Sequence, residues 1–390
     1  MREIISRAVQ LAPADSLESG RVLSSHGYCL GLTGGGYESA QEAFDQALAI
    51  ARTNNDAALE MRVLANSANT DGWHMRWETC LAKSLQALEL APVVDDSYAK
   101  LRAHLWAWYP LRFAGDIERA RVHAAEIRAT SEKLRDANWL ARSFLYETDL
   151  LCVAGRWSSA RQLSDQALAL FPTYTWLLGQ RAVLEYQLGD GTQGNSYLQR
   201  LLDSKGAMTS SRALSSTTIW LAQIFYITGN DTLLDIVQDD AQAPLAALFL
   251  DHPFAVFFGR CSMALLAVRQ GNVSLSGEMY TALAPHRVTF VPFADITVDH
   301  LLGLLAQTMG NLGQAMGHFD DALAFCRKSG CRPELARTCC DYADTLFQRK
   351  EPRDREKAMS LLEESLAISS ELGMRPLMER VLSRREILRA

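Results

Sequence analysis

The segment HLLGLLAQTMGNLGQAMGHFDDALAFC, residues 300–326, decides the fold of this 390-residue chain. Apolar residues recur three and four positions apart on both sides of Gly310, which is the periodicity of amphipathic helices. Gly310 stands where the first helix would end, and glycine adopts the left-handed conformation found there without steric cost. Ala315 is small enough for two helices to approach closely, and Phe319 would fill the space between neighbouring pairs. The segment predicts two antiparallel helices joined by a tight turn.

The same pattern recurs along the whole chain. Its small residue falls at Ala40, Cys80, Ala120, Ala160 and Ala315, and the first four of these are 40 residues apart. The predicted end of a first helix is marked by Gly115, Gly155, Gly189, Gly229, Gly271 and Gly310. A helix pair cannot bury its apolar face alone, so neighbouring pairs must stack. The chain is therefore predicted to be an all-α solenoid of about nine helix pairs with a C-terminal capping helix.

The predicted repeats differ in regularity. Residues 1–205 form the more regular part and are rich in aromatic residues and arginine, 206–290 are degenerate, and 291–390 return to regular repeats and the cap. Pro92 and Pro172 would close second helices, whereas Pro253 and Pro292 stand near the starts of later first helices. A single solenoid domain over residues 1–390 is expected.

The unit at 300–326 resembles a tetratricopeptide repeat. Leu302–Gly303, Gly310, Ala315, Phe319 and Ala322–Leu323 match the signature positions of that family. The longer period near forty residues is similar to the sensor region of large LuxR-type regulators of the maltose-activator kind. The tail from Arg332 resembles the C-terminal repeats of bacterial signalling chains that carry a STAND-type ATPase or a nucleotide cyclase. These resemblances imply a right-handed superhelix in a bacterial signalling or transcription-regulatory assembly.

Composition excludes several other classes of protein. The chain is 48% hydrophobic and 22% charged, which excludes a disordered polymer. Its net charge of −6 argues against a broad nucleic-acid footprint. The N-terminus lacks a signal-peptide pattern, and the long apolar stretch at 243–258 is interrupted by Asp251, His252 and Pro253. We expect a cytoplasmic protein with no direct nucleic-acid contact and no membrane span.

The glycines of LTGGGYESAQEAF, residues 32–44, raise the question of a phosphate-binding loop. In register with the other repeats Gly35 becomes the turn between two helices, and no lysine follows to meet a phosphate. The chain has no Walker sequence, no HExxH and no nucleophile elbow, and its eight histidines are scattered singly. We predict no catalytic residue and no cofactor, hence no enzyme.

A cysteine cluster offers the strongest candidate for a metal site. Cys326, Cys331, Cys339 and Cys340 could supply four thiolates to zinc. The spacing is poor, because no CxxC pair exists and adjacent cysteines point about 100° apart on a helix. The alternative is that these thiols pack as small apolar side chains. Free thiols without a metal are the expectation.

Arginines at one repeat position suggest a binding groove. Arg62, Arg102 and Arg142 are 40 residues apart near the starts of successive first helices, and Arg337 falls at a similar place. Equivalent positions of first helices line up on the concave surface of a superhelix. Neighbouring concave positions add Asn66, Asn69, Trp106, Tyr109, Tyr146 and Asp149. The competing interpretation pairs each arginine with a carboxylate on the preceding second helix.

These features favour a non-catalytic scaffold whose groove in the N-terminal half binds a protein segment or peptide, since arginine and aromatic residues anchor interfaces. The more aliphatic C-terminal half is expected to act as support. The alternative function is a metabolite sensor, as the resemblance to LuxR-type and STAND-type regulators implies. A larger parent chain or a separate effector domain is a further expectation.

Overall fold

A computed structural model of the chain describes residues 2–32, 36–206, 211–246, 253–291 and 293–389. These residues form twenty α-helices. The first ten are α1 (Arg2–Leu11), α2 (Leu17–Gly31), α3 (Tyr37–Thr53), α4 (Ala57–Trp73), α5 (Trp77–Glu89), α6 (Ser97–Phe113), α7 (Ile117–Leu134), α8 (Ala137–Val153), α9 (Trp157–Leu170) and α10 (Thr175–Leu188). The second ten are α11 (Gly191–Gly206), α12 (Ser211–Thr228), α13 (Leu234–Ala246), α14 (Pro253–Gln270), α15 (Val273–Leu283), α16 (Val298–Thr308), α17 (Leu312–Ser329), α18 (Arg332–Arg349), α19 (Asp354–Leu372) and α20 (Arg375–Arg389).

The helices follow one another as pairs. Helix α2 packs on α3, α4 on α5, α10 on α11, α16 on α17 and α18 on α19, while α2 also contacts α4 and α10 contacts α12. Contacts between first helices of successive pairs are what a helical repeat requires. The first helices α4, α6 and α8 begin at Ala57, Ser97 and Ala137, which reproduces the forty-residue period. The predicted all-α fold of about nine helix pairs followed by a final helix is confirmed.

The turns follow the predicted glycines. Gly115, Gly155, Gly189, Gly229, Gly271 and Gly310 all have positive φ, between 64° and 79°. This conformation ends a helix and is strained for other residues. Helices α5 and α9 end shortly before Pro92 and Pro172, and Pro253 opens α14. The turn predicted at Gly35 and the position of Pro292 lie outside the described residues.

Close helix approach occurs at the small residues of the pattern. Ala40, Ala120, Ala160 and Ala315 have no solvent exposure. Phe319 is also fully buried, and its ring leaves no room for a Cβ at Gly303 on the preceding helix. A buried phenylalanine of this kind stabilises the fold by about 2 kcal/mol through the apolar area that it removes from water.

One irregular segment interrupts the helix pairs between α15 and α16. Strand β1 (Phe290–Val291) pairs antiparallel with β2 (Ile296–Thr297), with Phe290 opposite Thr297. Phe293 and Asp295 in the connecting turn both have positive φ. The segment places the Phe293 ring within 5.2 Å of Trp176 and 5.8 Å of Trp220, between centroids. A loop of the chain therefore fills space beside first helices α10 and α12.

By its internal contacts the chain divides into two compact units. Unit 1 comprises Met1–Arg112, Asp116–Ser143 and Leu245–Val256. Unit 2 comprises Phe113–Gly115, Phe144–Pro244 and Phe257–Ala390. Within unit 2, Arg375 at the start of α20 donates a hydrogen bond from Nε to the Leu188 carbonyl at the end of α10, over 3.0 Å. No helix in the described ranges is long and apolar enough to cross a membrane.

Candidate functional site

Unit 2 contains a cavity of about 400 Å³. Its walls come from six first helices, α10, α12, α14, α16, α18 and α20, and from the segment at 294–296. Part of the lining is apolar, including Ile227 on α12, Leu265 on α14 and Leu377 on α20. A volume of several hundred cubic ångströms with mixed apolar and polar walls is typical of small-molecule sites. The cavity is the candidate functional site of the described chain.

Charged side chains in the cavity lining are predominantly basic. The basic residues are Arg269, His300, Arg337, Arg380 and Arg384. Asp341 is the acidic residue of the same lining. Charged groups brought together inside a protein are costly unless they are paired or meet a ligand, so their hydrogen-bond partners decide what the cavity can bind.

His300 forms the buried centre of this charged wall. Its Nδ1 donates to Glu334 Oε1 and its Nε2 donates to Asp341 Oδ2, each over 2.8 Å. Burial alone would lower the pKa of His300, but the charges and hydrogen bonds of Glu334 and Asp341 outweigh burial and raise it to about 9. A histidine that donates from both nitrogens is an imidazolium. His300 therefore carries positive charge at neutral pH and has no ring nitrogen left to accept a proton.

Asp341 is held by two cations at once. Its second oxygen, Oδ1, accepts from Arg380 Nη2, which also donates to Asp344 Oδ2 over 2.6 Å. Burial acts to raise the pKa of the Asp341 carboxyl, but Arg380 and His300 hold that pKa well below its usual range. Arg384 donates from Nε to Asp344 Oδ1 over 2.6 Å. These contacts anchor helix α20 to α18 and neutralise the acidic part of the wall.

Other groups in the lining keep unused hydrogen-bonding capacity. Arg337 donates from Nε to Glu334 Oε2 over 3.1 Å and from Nη2 to the Asp295 carbonyl, whereas its Nη1 is buried without a partner among the described residues. Gln223 donates from Nε2 to the Ala294 carbonyl, and its Oε1 is likewise left without a described partner. Gln187 Oε1 is in the same state, and the side chains of both glutamines are more than nine-tenths buried. Buried polar atoms without partners destabilise a protein by about 1–3 kcal/mol each, so a polar ligand would relieve part of that cost.

Most polar members of the predicted groove fall in unit 1, whereas Asp149 falls in unit 2. Arg62 pairs with Asp96, Nη2 to Oδ2 at 2.7 Å, in the turn that precedes α6. The competing interpretation of the sequence was that each arginine pairs with a carboxylate on the preceding second helix. For Arg62 the partner lies instead just before the following first helix. Arg102 donates to Asn66 Oδ1 and lies 5.3 Å from the centroid of the Tyr28 ring. Asn69 is buried, and its Oδ1 has no partner among the described residues.

Two phenylalanines of the chain itself cover the aromatic members. In unit 1, Phe254 at the start of α14 lies 5.7 Å from Tyr109, and Tyr109 lies 5.2 Å from Trp106, between ring centroids. In unit 2, Phe293 stacks on Tyr146 at 6.4 Å. Trp106, Tyr109, Tyr146 and Asp149 are all buried, and Arg142 lies over the Trp139 ring at 5.4 Å. The aromatic rings that the sequence analysis assigned to partner binding pack against other residues of the same chain in this structure.

Two arginines of the cavity lining occupy the same helix position as the arginines of the predicted groove, but on other helices. Arg337 and Arg380 are the sixth residues of α18 and α20, as Arg62, Arg102 and Arg142 are of α4, α6 and α8. Sequence reasoning noted Arg337 but missed His300, Asp341, Arg380 and Gln223. A signal was present for His300 and Gln223, which are polar residues inside apolar helical runs, a position from which polar side chains are usually excluded. Asp341 and Arg380 lie in polar helical sequences and had no such signal.

Metal-type ligands converge at one place in the described residues. Ligand atoms of Asp299, His318 and Asp321 lie within 4.8 Å of one another. Arg287 donates to both carboxylates, from Nε to Asp299 at 2.8 Å and from Nη2 to Asp321, so a guanidinium already supplies the positive charge there. The four clustered cysteines form no such group, and all of them are buried. Burial raises the pKa of the Cys340 thiol to about 12, which keeps it protonated.

No protein-family model matches the chain, and no curated protein matches it. Among solved structures it is similar to a signal-transduction ATPase with numerous domains from Pyrococcus horikoshii that has a tetratricopeptide-repeat sensor. That similarity has a TM-score of 0.42 and 12% identity, and covers 98% of this chain and 62% of the other. A circular tandem repeat protein is also similar, with a TM-score of 0.21 and 14% identity over 99% of this chain and 95% of that one. Neither neighbour assigns an activity to this chain.

Proposed function

We propose that the chain is a non-catalytic sensor module that binds a small polar molecule in the cavity of unit 2 and belongs to a bacterial signalling or transcription-regulatory assembly. The observation that carries the proposal is a cavity of about 400 Å³ whose lining residues leave polar atoms unsatisfied. Its six walls are first helices of successive repeats, so one bound molecule would contact several repeats at once.

Ion pairs between repeats beside the cavity support a sensing role. Helices α18 and α20 meet through Asp341, Asp344, Arg380 and Arg384, and these groups are also at or beside the cavity wall. A ligand that alters these ion pairs would change the free energy with which α20 is held. A shift of one packed helix against another is among the changes by which proteins pass a signal onward.

Thermal unfolding of the whole chain against a library of small polar molecules tests the proposal. A molecule that binds the folded state alone stabilises it by RT ln(1 + L/Kd), where L is the free ligand concentration, so the melting temperature rises with the logarithm of the ligand concentration above the dissociation constant. Ile227→Trp places an indole in the cavity and should abolish the shift. Val273→Trp makes a similar change at a side chain that is 57% exposed, and should leave the shift intact. The proposal fails when no molecule gives a shift that Ile227→Trp removes.

Peptide binding by unit 1 is the second candidate. The observations that favour it are the half-exposed side chain of Arg62 and the unsatisfied Asn69 carboxamide on the same helix. A peptide would meet Arg62, Asn66, Asn69, Arg102 and Arg142 on the proposed concave face, and would have to displace Phe254 to reach Tyr109. Arg102→Ala with Arg142→Ala should weaken capture of a partner segment without changing helicity. Unchanged capture would remove this assignment.

A further inference from the structure

The charge of the cavity wall identifies the class of molecule that it accepts. Five lining side chains are basic and one is acidic, and the acidic one, Asp341, already accepts from His300 and Arg380. A cationic ligand would therefore meet repulsion from the wall and find no free carboxylate in the lining. An anion would meet guanidinium groups that retain donors.

Arg337 is the best placed of these donors. Glu334 and the Asp295 carbonyl engage its Nε and Nη2 and so fix the plane of the guanidinium. Its Nη1 remains without a described partner. A preorganised guanidinium with a spare N–H binds carboxylate or phosphate oxygens with little further loss of side-chain entropy.

Arg269 supplies a second positive charge at the accessible side of the cavity. Arg269 lines the cavity, is exposed to solvent, and forms no ion pair with a described residue. The guanidinium lies against Gly229, where a Cβ would collide with it. An exposed cation at the entrance of a cavity raises the local concentration of anions and speeds their entry.

Gln223 and Gln187 set a second polar requirement on the ligand. The bond from Gln223 Nε2 to the Ala294 carbonyl settles which end of that carboxamide is the oxygen, and Oε1 lacks a described donor. An acceptor without a donor calls for a hydroxyl or amino hydrogen. A purely apolar acid would leave this requirement unmet.

We infer, on the basis of the proposed function, that the cavity binds a small organic anion whose acidic group contacts Arg337 and whose hydroxyl or amino hydrogens are donated to Gln223 and Gln187. The acidic group is a carboxylate or a phosphate, since both present paired oxygens to a guanidinium. The apolar residues Ile227, Leu265 and Leu377 contact the carbon frame of the molecule.

Matched probes test the charge requirement. Melting temperatures of the whole chain are compared with glucose, gluconate and glucose 6-phosphate, and with malonate and inorganic phosphate against chloride at equal ionic strength. At least one anion should raise the melting temperature while glucose leaves it unchanged. Gluconate and malonate against the two phosphates distinguish the carboxylate from the phosphate. The inference is overturned if none of these anions stabilises the chain, or if glucose alone does. If instead a neutral molecule from the library gives a shift that Ile227→Trp removes, the proposed function stands and this inference does not.

Variants test the residues. Arg337→Gln should weaken binding of the stabilising anion by about ten- to hundredfold, the range expected for a lost charge-assisted hydrogen bond. The control is Arg332→Gln, on the same helix, which removes an arginine that pairs with Glu371 outside the cavity lining. Equal affinities in the Arg337→Gln and Arg332→Gln chains would overturn the assignment.

A second variant keeps the test valid if Arg337→Gln fails to fold. Gln187→Glu is isosteric and adds a negative charge to the predominantly basic lining, at the position where a hydroxyl or amino hydrogen of the ligand is inferred to bind. This variant should have a higher melting temperature than the parent chain without any ligand, and should no longer respond to the anion. A lower melting temperature with an unchanged response to the anion would overturn the inference.

Discussion

His300 Nε2 donates to Asp341 Oδ2 over 2.8 Å, between two buried side chains on the first helices of neighbouring repeats. The two residues are 41 positions apart in the sequence. Each repeat thus supplies one half of a charged pair that neither could bury alone, because an unpaired charge in this position would lose its hydration without compensation. The pair connects the stacking of repeats to the wall of the cavity.

Stability should depend on the charge of His300. The pKa of His300 is raised from 6.5 to about 9 by Glu334 and Asp341, against the effect of burial. A raised folded-state pKa means that the stabilisation is fully present below pH 6.5 and is lost as the pH rises through about 9. The loss should be on the order of 3 kcal/mol. Urea unfolding across this range checks it, with His300→Gln as the comparison, and equal slopes in the two chains would contradict the prediction.

Breaking the Arg380 contact should cost more than breaking an exposed ion pair. Arg380→Met leaves Asp341 and Asp344 without their shared guanidinium. The Arg380 side chain is 39% exposed but Asp341 is buried, and a buried carboxylate that loses a hydrogen-bond partner costs about 1–3 kcal/mol. Arg332→Met removes a contact to Glu371 between two exposed side chains and should cost less than about 1 kcal/mol. Chemical denaturation of both variants measures the difference. Equal losses would show that the Arg380 network contributes no more than a surface pair.

Phe254 should be required for the aromatic packing of unit 1. Its side chain is 3% exposed and lies 5.7 Å from Trp73 and 5.5 Å from Trp77, between ring centroids. Phe254→Ala should reduce stability by about 3 kcal/mol and expose these indoles to water. A red shift of tryptophan fluorescence at unchanged helical circular dichroism is the expected observation. Val122→Ala, at a side chain of α7 that is 61% exposed, should change neither stability nor tryptophan fluorescence.

The thiols should react in an order set by burial. Cys29 is half-buried, and the other seven cysteines are buried. Burial raises the pKa of the Cys340 thiol to about 12, so almost no reactive thiolate is present near neutral pH. Titration of the native chain with a chromogenic disulfide reagent should modify Cys29 first, and Cys29→Ser should remove that fast phase. Rapid modification of the 326–340 cysteines in the native state would contradict the prediction.

The sequence predicted the features that depend on residues close together in the chain. Periodicity of three and four, glycines such as Gly155 and Gly310 at helix ends, and small residues such as Ala160 at contacts depend on neighbours within one repeat. The all-α fold of paired helices followed from them and is confirmed. The peptide groove on α4, α6 and α8 stays a prediction. The sequence shows that its arginines recur at one helix position, but not whether a peptide could reach them.

The sequence alone determined the repeat and the position in the first helices at which arginine recurs, because helical periodicity and glycine backbone preferences act over a few residues. It identified that position at Arg62 and at Arg337, and the helix bounds of the structure add Arg380 at the same place in α20. Only the tertiary structure decided which of these positions remain open. Phe254 at the start of α14 and Phe293 in the turn between β1 and β2 fill the space beside Tyr109 and Tyr146. Helices α10, α12 and α20 instead leave a cavity between Gln187, Gln223 and Arg380. Those residues are far apart in the chain, and the space between them is set by packing that no local pattern encodes.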